Sequence, residues 1–285
     1  MMRVSDLPPF RPGGADSTSR SLADVRAFIL DMDGVIYEGD VVLPGAVDFI
    51  AHLQAAGVPF LMLTNNAMRT PAQYVAKLAR MGIHVTEEHI FTSALATADY
   101  LAGLAPGARV LVVGQDGLVD ALRARGMVLV TRADERPDFV VAGLDMTLTY
   151  DKLREATWAI RRGATFIASN PDVTYPTEYG EAPGAGAIVA ALQVASGVAP
   201  RVIGKPEPGI FAQAIARLGT TAPETAMVGD RVETDIVGGR RAGLRTILVL
   251  SGVTGKDDLA RAPVQPDWVF PDLAALDAAW RAARR

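Results

Sequence analysis

Cysteine is missing from this 285-residue chain. That excludes disulfides, thiolate zinc sites, iron–sulfur clusters and a cysteine nucleophile. Histidine is scarce: His52, His84 and His89 are the three present, and none stands in an H-x-x-x-H or H-E-x-x-H pattern. A histidine-rich zinc hydrolase is therefore excluded as well. Lysine is scarce too, with only Lys77, Lys152, Lys205 and Lys256 among 28 basic residues. Net positive charge is absent; the formal net charge is −4. Nucleic acid is held by clustered Lys and Arg, so no nucleic-acid partner is expected. No apolar run approaches the roughly 20 residues that cross a bilayer, so no membrane partner is expected either. The opening MMRVSDLPPFRPGGADSTSR has no apolar stretch of the signal-peptide kind. Residues 1–24 read as a loose leader, and a cytoplasmic location is the default. Chemistry is left to carboxylates, hydroxyls, amides, Lys and Arg.

What is present builds a core. Hydrophobic residues make up 49% and charged residues 21%, which excludes global disorder. Short apolar runs alternate with amphipathic stretches, the pattern of βα units around a parallel sheet. Strand-like runs are VRAFIL (25–30), PFLML (59–63), HIFT (89–92), ARVLVVG (108–114), MVLV (127–130), DFVVAGL (138–144), TFIAS (165–169), AMVG (226–229), RTILVL (245–250) and WVF (268–270). The spacing predicts helices over 46–56, 72–81, 94–104, 116–125, 151–161, 185–196, 208–218 and 234–242, and an Ala-rich terminal one. Pro/Gly breaks near 105 and 200 divide the chain into two α/β lobes. Residues 25–104 plus 201–285 form one lobe, and 105–200 form an insertion between its halves.

Four strand ends carry reactive groups. Asp31 and Asp33, in DMDGV, follow VRAFIL directly, and open parallel sheets place their sites beyond the carboxyl ends of strands. Two carboxylates this close raise one another's pKa unless a cation keeps them charged. That favours a divalent metal with oxygen ligands, most simply Mg²⁺; taken alone, the pair is equally an ordinary βα turn. Thr64, Asn65 and Asn66 follow PFLML and suit an anionic oxygen bound by backbone N–H and Oγ, or else a polar turn capping the next helix. Lys205, in GKP, offers a compact point charge in a chain that otherwise prefers Arg. Asp230 and Asp235, in GDRVETD, follow AMVG; Asp230 could complete a metal site, and Asp235 could hold a metal-bound water or Lys205. Coincidence at all four places is far less probable than at any one.

In this order DMDGV, TNN, GKP and GDRVETD resemble the four motifs of the haloacid-dehalogenase superfamily of phosphohydrolases. The flanking DMDGVIYEG, TNNAMRTPAQYVAKLARMGI and GKPEPGIFAQAIA are similar to its NagD-like, p-nitrophenyl phosphatase subgroup, over nearly the whole chain after about residue 24. The resemblance implies an α/β fold: a Rossmann-like parallel-sheet core with an inserted α/β cap. It implies a Mg²⁺-dependent phosphatase acting on a small phosphorylated metabolite through an aspartyl phosphate. Asp31 would be the nucleophile and Asp33 the general acid and base. Asp31, the backbone carbonyl of Asp33 and Asp230 would hold Mg²⁺. Thr64, Asn65 and Asn66 would lie at the phosphate with Lys205, and Asp235 behind them. Relatives often pair through their caps, which makes a homodimer an expectation of the resemblance.

Candidate cap contacts are Asp145, the stretch 170–175, and Gly184-Ala185-Gly186, whose glycines could equally serve close helix packing. The Ser that usually follows the two asparagines is Ala67 here, and the cap has no histidine, which argues against pyridoxal phosphate as substrate. A phospho-acceptor signalling domain and a phosphomutase of the same superfamily are the rival readings. SGVTGKDD has Asp after its Lys and is not a P-loop.

Overall fold

A computed structural model describes residues 21–177 and 179–285. Residues 1–20 of the expected leader lie outside the described residues. Its last part, Leu22–Asp24, forms one tight turn capped by the Ser21 hydroxyl, and Leu22 is buried.

Six parallel strands form the main sheet, in the spatial order Trp268–Phe270, Arg245–Val249, Thr225–Gly229, Ala27–Leu30, Phe60–Thr64 and Ile90–Thr92. The central strands are buried along their whole length, as expected where helices cover both faces of a parallel sheet. Alternate residues point to opposite faces. Phe28, Leu30, Met62 and Val228 join one apolar cluster, while Ile29, Leu61, Leu63 and Met227 join another. From Ala27–Leu30 the chain winds outward through Phe60–Thr64 and Ile90–Thr92 in one direction. Its last third winds outward in the other direction, so the order reverses beside Ala27–Leu30. Such a reversal opens a crevice at the strands' carboxyl ends.

A second sheet of five parallel strands has the order Arg201–Val202, Thr165–Ala168, Phe139–Ala142, Arg109–Val113, Val128–Val130. One of its edge strands, Arg201–Val202, falls just past residue 200. One apolar cluster joins the two sheets: Leu61 and Phe211 share it with Val110, Leu118, Phe139 and Ile203. The parallel-sheet α/β architecture expected from the sequence is the one found.

The periodic helices form with small shifts at their ends. Pro71–Arg80 begins where Thr70 and Gln73 close a reciprocal cap and Pro71 takes the first helical position. The helix expected over 234–242 does not form as such. A wide turn over Val232–Ile236, in which Ile236 N–H reaches the Arg231 carbonyl (3.4 Å), precedes a short helix, Val237–Arg241. The cause lies in packing: Asp235 is drawn back against Gly229, where any Cβ would collide with its carboxylate. Such wide turns concentrate at functional sites.

The terminal helix Leu273–Ala283 closes the fold by returning to the first strand. Trp280 meets Phe28 edge to face at 5.3 Å, Phe49 meets Phe28 at 5.2 Å, and the Trp280 indole N–H donates to the Val25 carbonyl at 3.4 Å. Trp280→Ala is expected to cost about 3–5 kcal/mol, as buried aromatic truncations do. Urea denaturation checks this; a loss below about 1 kcal/mol would mean the helix is dispensable to the core.

Candidate active site

The four predicted segments meet at the carboxyl ends of three adjacent strands. Asp31 follows Ala27–Leu30, Asn65 follows Phe60–Thr64, and Asp230 follows Thr225–Gly229. The Asp31 N–H still donates to Val228 O (2.9 Å), so the last ladder bond fixes where its side chain emerges. Between these strand ends lies a cleft of about 300 Å³. Asp31, Asp33, Thr64, Asn65 and Asn66 line it from the main sheet, Lys205 from the loop after Arg201–Val202, and Asp172, Thr174 and Tyr175 from the inserted lobe.

Lys205 is the hub. Its Nζ lies 2.9 Å from Asp31 Oδ1 and 2.7 Å from Asp235 Oδ1, and donates to the Leu63 carbonyl at 3.3 Å. The side chain is 2% exposed. Burial works against its charge, but Asp235 and Asp31 outweigh burial and hold its pKa above the ordinary lysine value. Asp235 is itself placed by the wide turn, accepting from the Arg231 N–H at 3.1 Å.

Burial raises the Asp31 carboxyl well above the usual carboxylate range; Lys205 opposes this, and Asp235 and Asp230 add to it. Burial and the neighbouring Asp235 push Asp230 up to about 6. Asp33 is also raised by burial, against the pull of Lys77, Lys205, Arg69 and Arg231. A carboxyl raised in this way on the cleft wall is suited to handing a proton to a leaving group.

Asp31, Asp230 and Asp235 each bring a carboxylate oxygen within 4.8 Å of the others. Asp230 Oδ2 accepts from the Val253 N–H (2.8 Å), while Asp230 Oδ1 is buried with no hydrogen-bond partner. An orphaned buried carboxylate oxygen beside two further carboxylates fits a hard divalent cation. The Asp33 carboxylate is not among these three, so its expected part in the metal site rests on its carbonyl.

Gly34 (φ +80°) turns the chain after the aspartate pair, and a Cβ there or at Gly252 would collide with the Asp230 carboxylate. The segment SGVTGKDD thus wraps Asp230. Ser251 Oγ donates to the Gly34 carbonyl (2.8 Å) and the Thr254 N–H to the Asp230 carbonyl (3.1 Å).

Thr64 Oγ1 accepts from the Asn66 N–H (3.0 Å), and Asn66 Oδ1 from the Met68 N–H (3.0 Å), so this loop is held from within. The Asn65 side chain is committed elsewhere. Its Oδ1 accepts from the Lys205 N–H (2.8 Å), and its Nδ2 donates to the Lys205 carbonyl (3.0 Å) and to Asp172 Oδ1 (2.9 Å).

Asp145, a candidate cap contact, does not line the cleft. Its carboxylate is taken by Lys152 (2.7 Å) and by the Thr147 hydroxyl and N–H (2.8 and 2.9 Å). Gly184 and Gly186 serve close packing, because a Cβ at either would collide with the backbone of 171–172.

The sequence reading missed Lys77 as a wall of the cleft. Its ammonium sits 3.6 Å over the Tyr37 ring and 3.9 Å from Asp40, and the side chain is 7% exposed. The signal was there: Tyr74, Lys77 and Leu78 share the buried face of one amphipathic helix. Arg69 and Arg231 also line the cleft and were not singled out.

Residues 28–128 match the haloacid dehalogenase-like hydrolase family model, and residues 202–276 match a HAD-hydrolase-like model. An acid sugar phosphatase of Staphylococcus aureus is 46% identical over 248 residues, spanning 87% of this chain and 95% of that protein. A 4-nitrophenylphosphatase from Thermotoga maritima superposes with a TM-score of 0.86 at 38% identity, covering 90% of this chain and 98% of that one. A glycerol phosphate phosphatase from Mycobacterium tuberculosis, solved in complex with calcium, superposes at 0.84 with 41% identity, covering 90% of this chain and 76% of that one.

Proposed function

This chain belongs to the haloacid dehalogenase-like hydrolases, in the group of NagD and the p-nitrophenyl phosphatases, and is a phosphoric monoester hydrolase; on that premise we propose that it hydrolyses small phosphomonoesters, sugar or polyol phosphates among them, through an aspartyl phosphate on Asp31 with Mg²⁺ as cofactor. The observation that carries the reading is the meeting of Asp31, Lys205 and the unpartnered oxygen of Asp230 at one buried point.

Each side chain has a part. The Asp31 oxygen attacks phosphorus, and the bond to the leaving alkoxide breaks. Asp33 hands that oxygen a proton, then takes one from the water that hydrolyses the acyl phosphate. Thr64 and the strand-end backbone beside it face the phosphoryl oxygens. Lys205 offsets the repulsion between an anionic carboxylate and an anionic phosphate. Asp31 and Asp230, with the Asp33 carbonyl, would hold Mg²⁺, which when bound neutralises further phosphoryl charge. Asp235 keeps Lys205 in place. The acid sugar and glycerol phosphate phosphatases among the relatives support the choice of substrates.

Removing divalent metal with EDTA is expected to abolish phosphate release from p-nitrophenyl phosphate, and Mg²⁺ to restore it. Asp230→Asn is expected to raise the Mg²⁺ concentration needed for half-maximal activity by about tenfold or more, since each carboxylate ligand contributes charge that hard cations require. Undiminished turnover in EDTA would remove the metal from this reading. Stable phosphorylation of the chain without phosphate release would favour a phospho-acceptor domain instead.

A further inference from the structure

The geometry points to Asp172 as a positioning residue: through Asn65 it holds the loop that carries Lys205, and so links the inserted lobe to the placement of the reactive carboxylate. The inference rests on the phosphatase reading above.

The chain of contacts starts in the inserted lobe. Gly184 and Gly186 let the N-terminus of the helix Ala185–Ser196 press against residues 171–172, and the Gly186 N–H donates to the Asp172 carbonyl at 2.8 Å. With its backbone pinned, Asp172 extends its carboxylate across the cleft. Asp172 Oδ1 accepts from Asn65 Nδ2 at 2.9 Å.

Asn65 spends all the rest of its observed side-chain bonding on Lys205, accepting from its N–H and donating to its carbonyl. An amide clamped on both backbone groups of one residue fixes that residue's place and direction. Gly204 allows the approach, since a Cβ there would stand 2.6 Å from both Asn65 Oδ1 and the Ser169 carbonyl. Two more bonds brace Asn65 itself: Ser93 Oγ (2.5 Å) and Asn170 Nδ2 (2.7 Å) both donate to its carbonyl.

Lys205 then reaches Asp31 and Asp235. Asn170 and Asp172 come from the inserted lobe, two residues apart, and both end on Asn65. Lys205 is therefore set by both lobes rather than by its own loop alone. Without the Asp172 bond, one Asn65 N–H loses its acceptor, and only the two bonds to the Lys205 backbone still orient the amide.

Three full-length proteins test this: wild type, Asp172→Ala and Asp172→Asn, each assayed for kcat and KM on p-nitrophenyl phosphate with Mg²⁺ and melted in parallel. Misplacement by a fraction of an ångström is expected to lower kcat of Asp172→Ala by about 10–100-fold, with KM much less affected. Asp172→Asn keeps an oxygen that accepts from Asn65 and is expected to stay within about threefold of wild type. If the alanine variant does not fold, Asp172→Ser, too short to reach Asn65, is expected to show the same loss. Wild-type kcat in Asp172→Ala would overturn the inference while leaving the phosphatase reading intact. Equal impairment of the Ala and Asn variants would also overturn it, because charge in the cleft and not the hydrogen bond would be responsible. A wild-type chain inactive on every phosphomonoester tried would remove the phosphatase reading and this inference together.

Discussion

Asp31→Asn is expected to lower phosphatase turnover by about 10⁴-fold or more while leaving the fold intact, since losing the nucleophile removes the bond-forming step itself. The amide is nearly isosteric with the carboxylate. Its oxygen can still accept from the Lys205 ammonium, now 2.9 Å from Asp31 Oδ1. The strand-end backbone bond from the Asp31 N–H to Val228 O does not involve the side chain at all. Circular dichroism and the melting curve should therefore match wild type. Incubating wild type with a radiolabelled phosphomonoester and quenching in acid should leave label on the chain, and the Asn variant should carry none. A variant that keeps turnover within tenfold of wild type would remove Asp31 from the nucleophile's place.

Lys205→Met is expected to be damaging twice over. Chemically, it removes the positive charge facing the phosphoryl group and should lower kcat by about 10²–10³-fold, the scale of losing one preorganised electrostatic contact. Structurally, it leaves the buried Asp31 and Asp235 without the cation that both now share. Breaking a buried pair by removing one partner costs about 3–5 kcal/mol. Urea denaturation in EDTA would read this loss. The pH dependence has a definite sign. Burial already raises the folded-state pKa of Asp31, and Lys205 is the largest influence opposing that rise. Without Lys205 the folded pKa climbs further above the unfolded one. A group raised in this way favours the folded state at low pH, and that advantage fades as pH rises through its folded pKa. The gap between variant and wild type should thus be narrow in acid and widen toward neutral pH. A gap independent of pH would mean that lost packing of the lysine stem, rather than stranded charge, is responsible.

The site was legible wherever chemistry follows directly on a buried strand. FILD, LTNN and VGD announce a strand end and its polar load in consecutive residues, because a strand covered on both faces must be apolar and can release polar groups only where it ends. The helix Pro71–Arg80 was legible for a similar reason, with its cap and first proline adjacent in sequence. The two hairpins, Tyr37–Glu38 with Val41–Val42 and Thr174–Thr177 with Gly180–Pro183, were not. Unlike the equally short apolar runs HIFT and WVF, these strands are mixed in polarity, and two to four residues are too few for an alternation to show. The spacing predicts a helix from residue 234, and its first residues lie instead in the wide turn Val232–Ile236, since they are as compatible with one as with the other. The turn brings Asp235 against Gly229, a contact that only a residue without a Cβ permits and that no local periodicity announces.

From its amino-acid order alone, this protein's class of chemistry was already settled: no thiol or histidine cluster was available, and carboxylates, a hydroxyl and one lysine stood at strand ends in a characteristic succession. Folding decided how those groups are shared out. It turned Asn65 toward the Lys205 backbone, gave Lys205 to both Asp31 and Asp235, left one Asp230 oxygen without a partner, and wrapped SGVTG around Asp230. These contacts join residues as far apart in the chain as Asp31 and Lys205. Local patterning reports how a segment meets its own solvent and core, whereas such contacts depend on the order in which strands lie side by side, and that order exists only once the sheets have assembled.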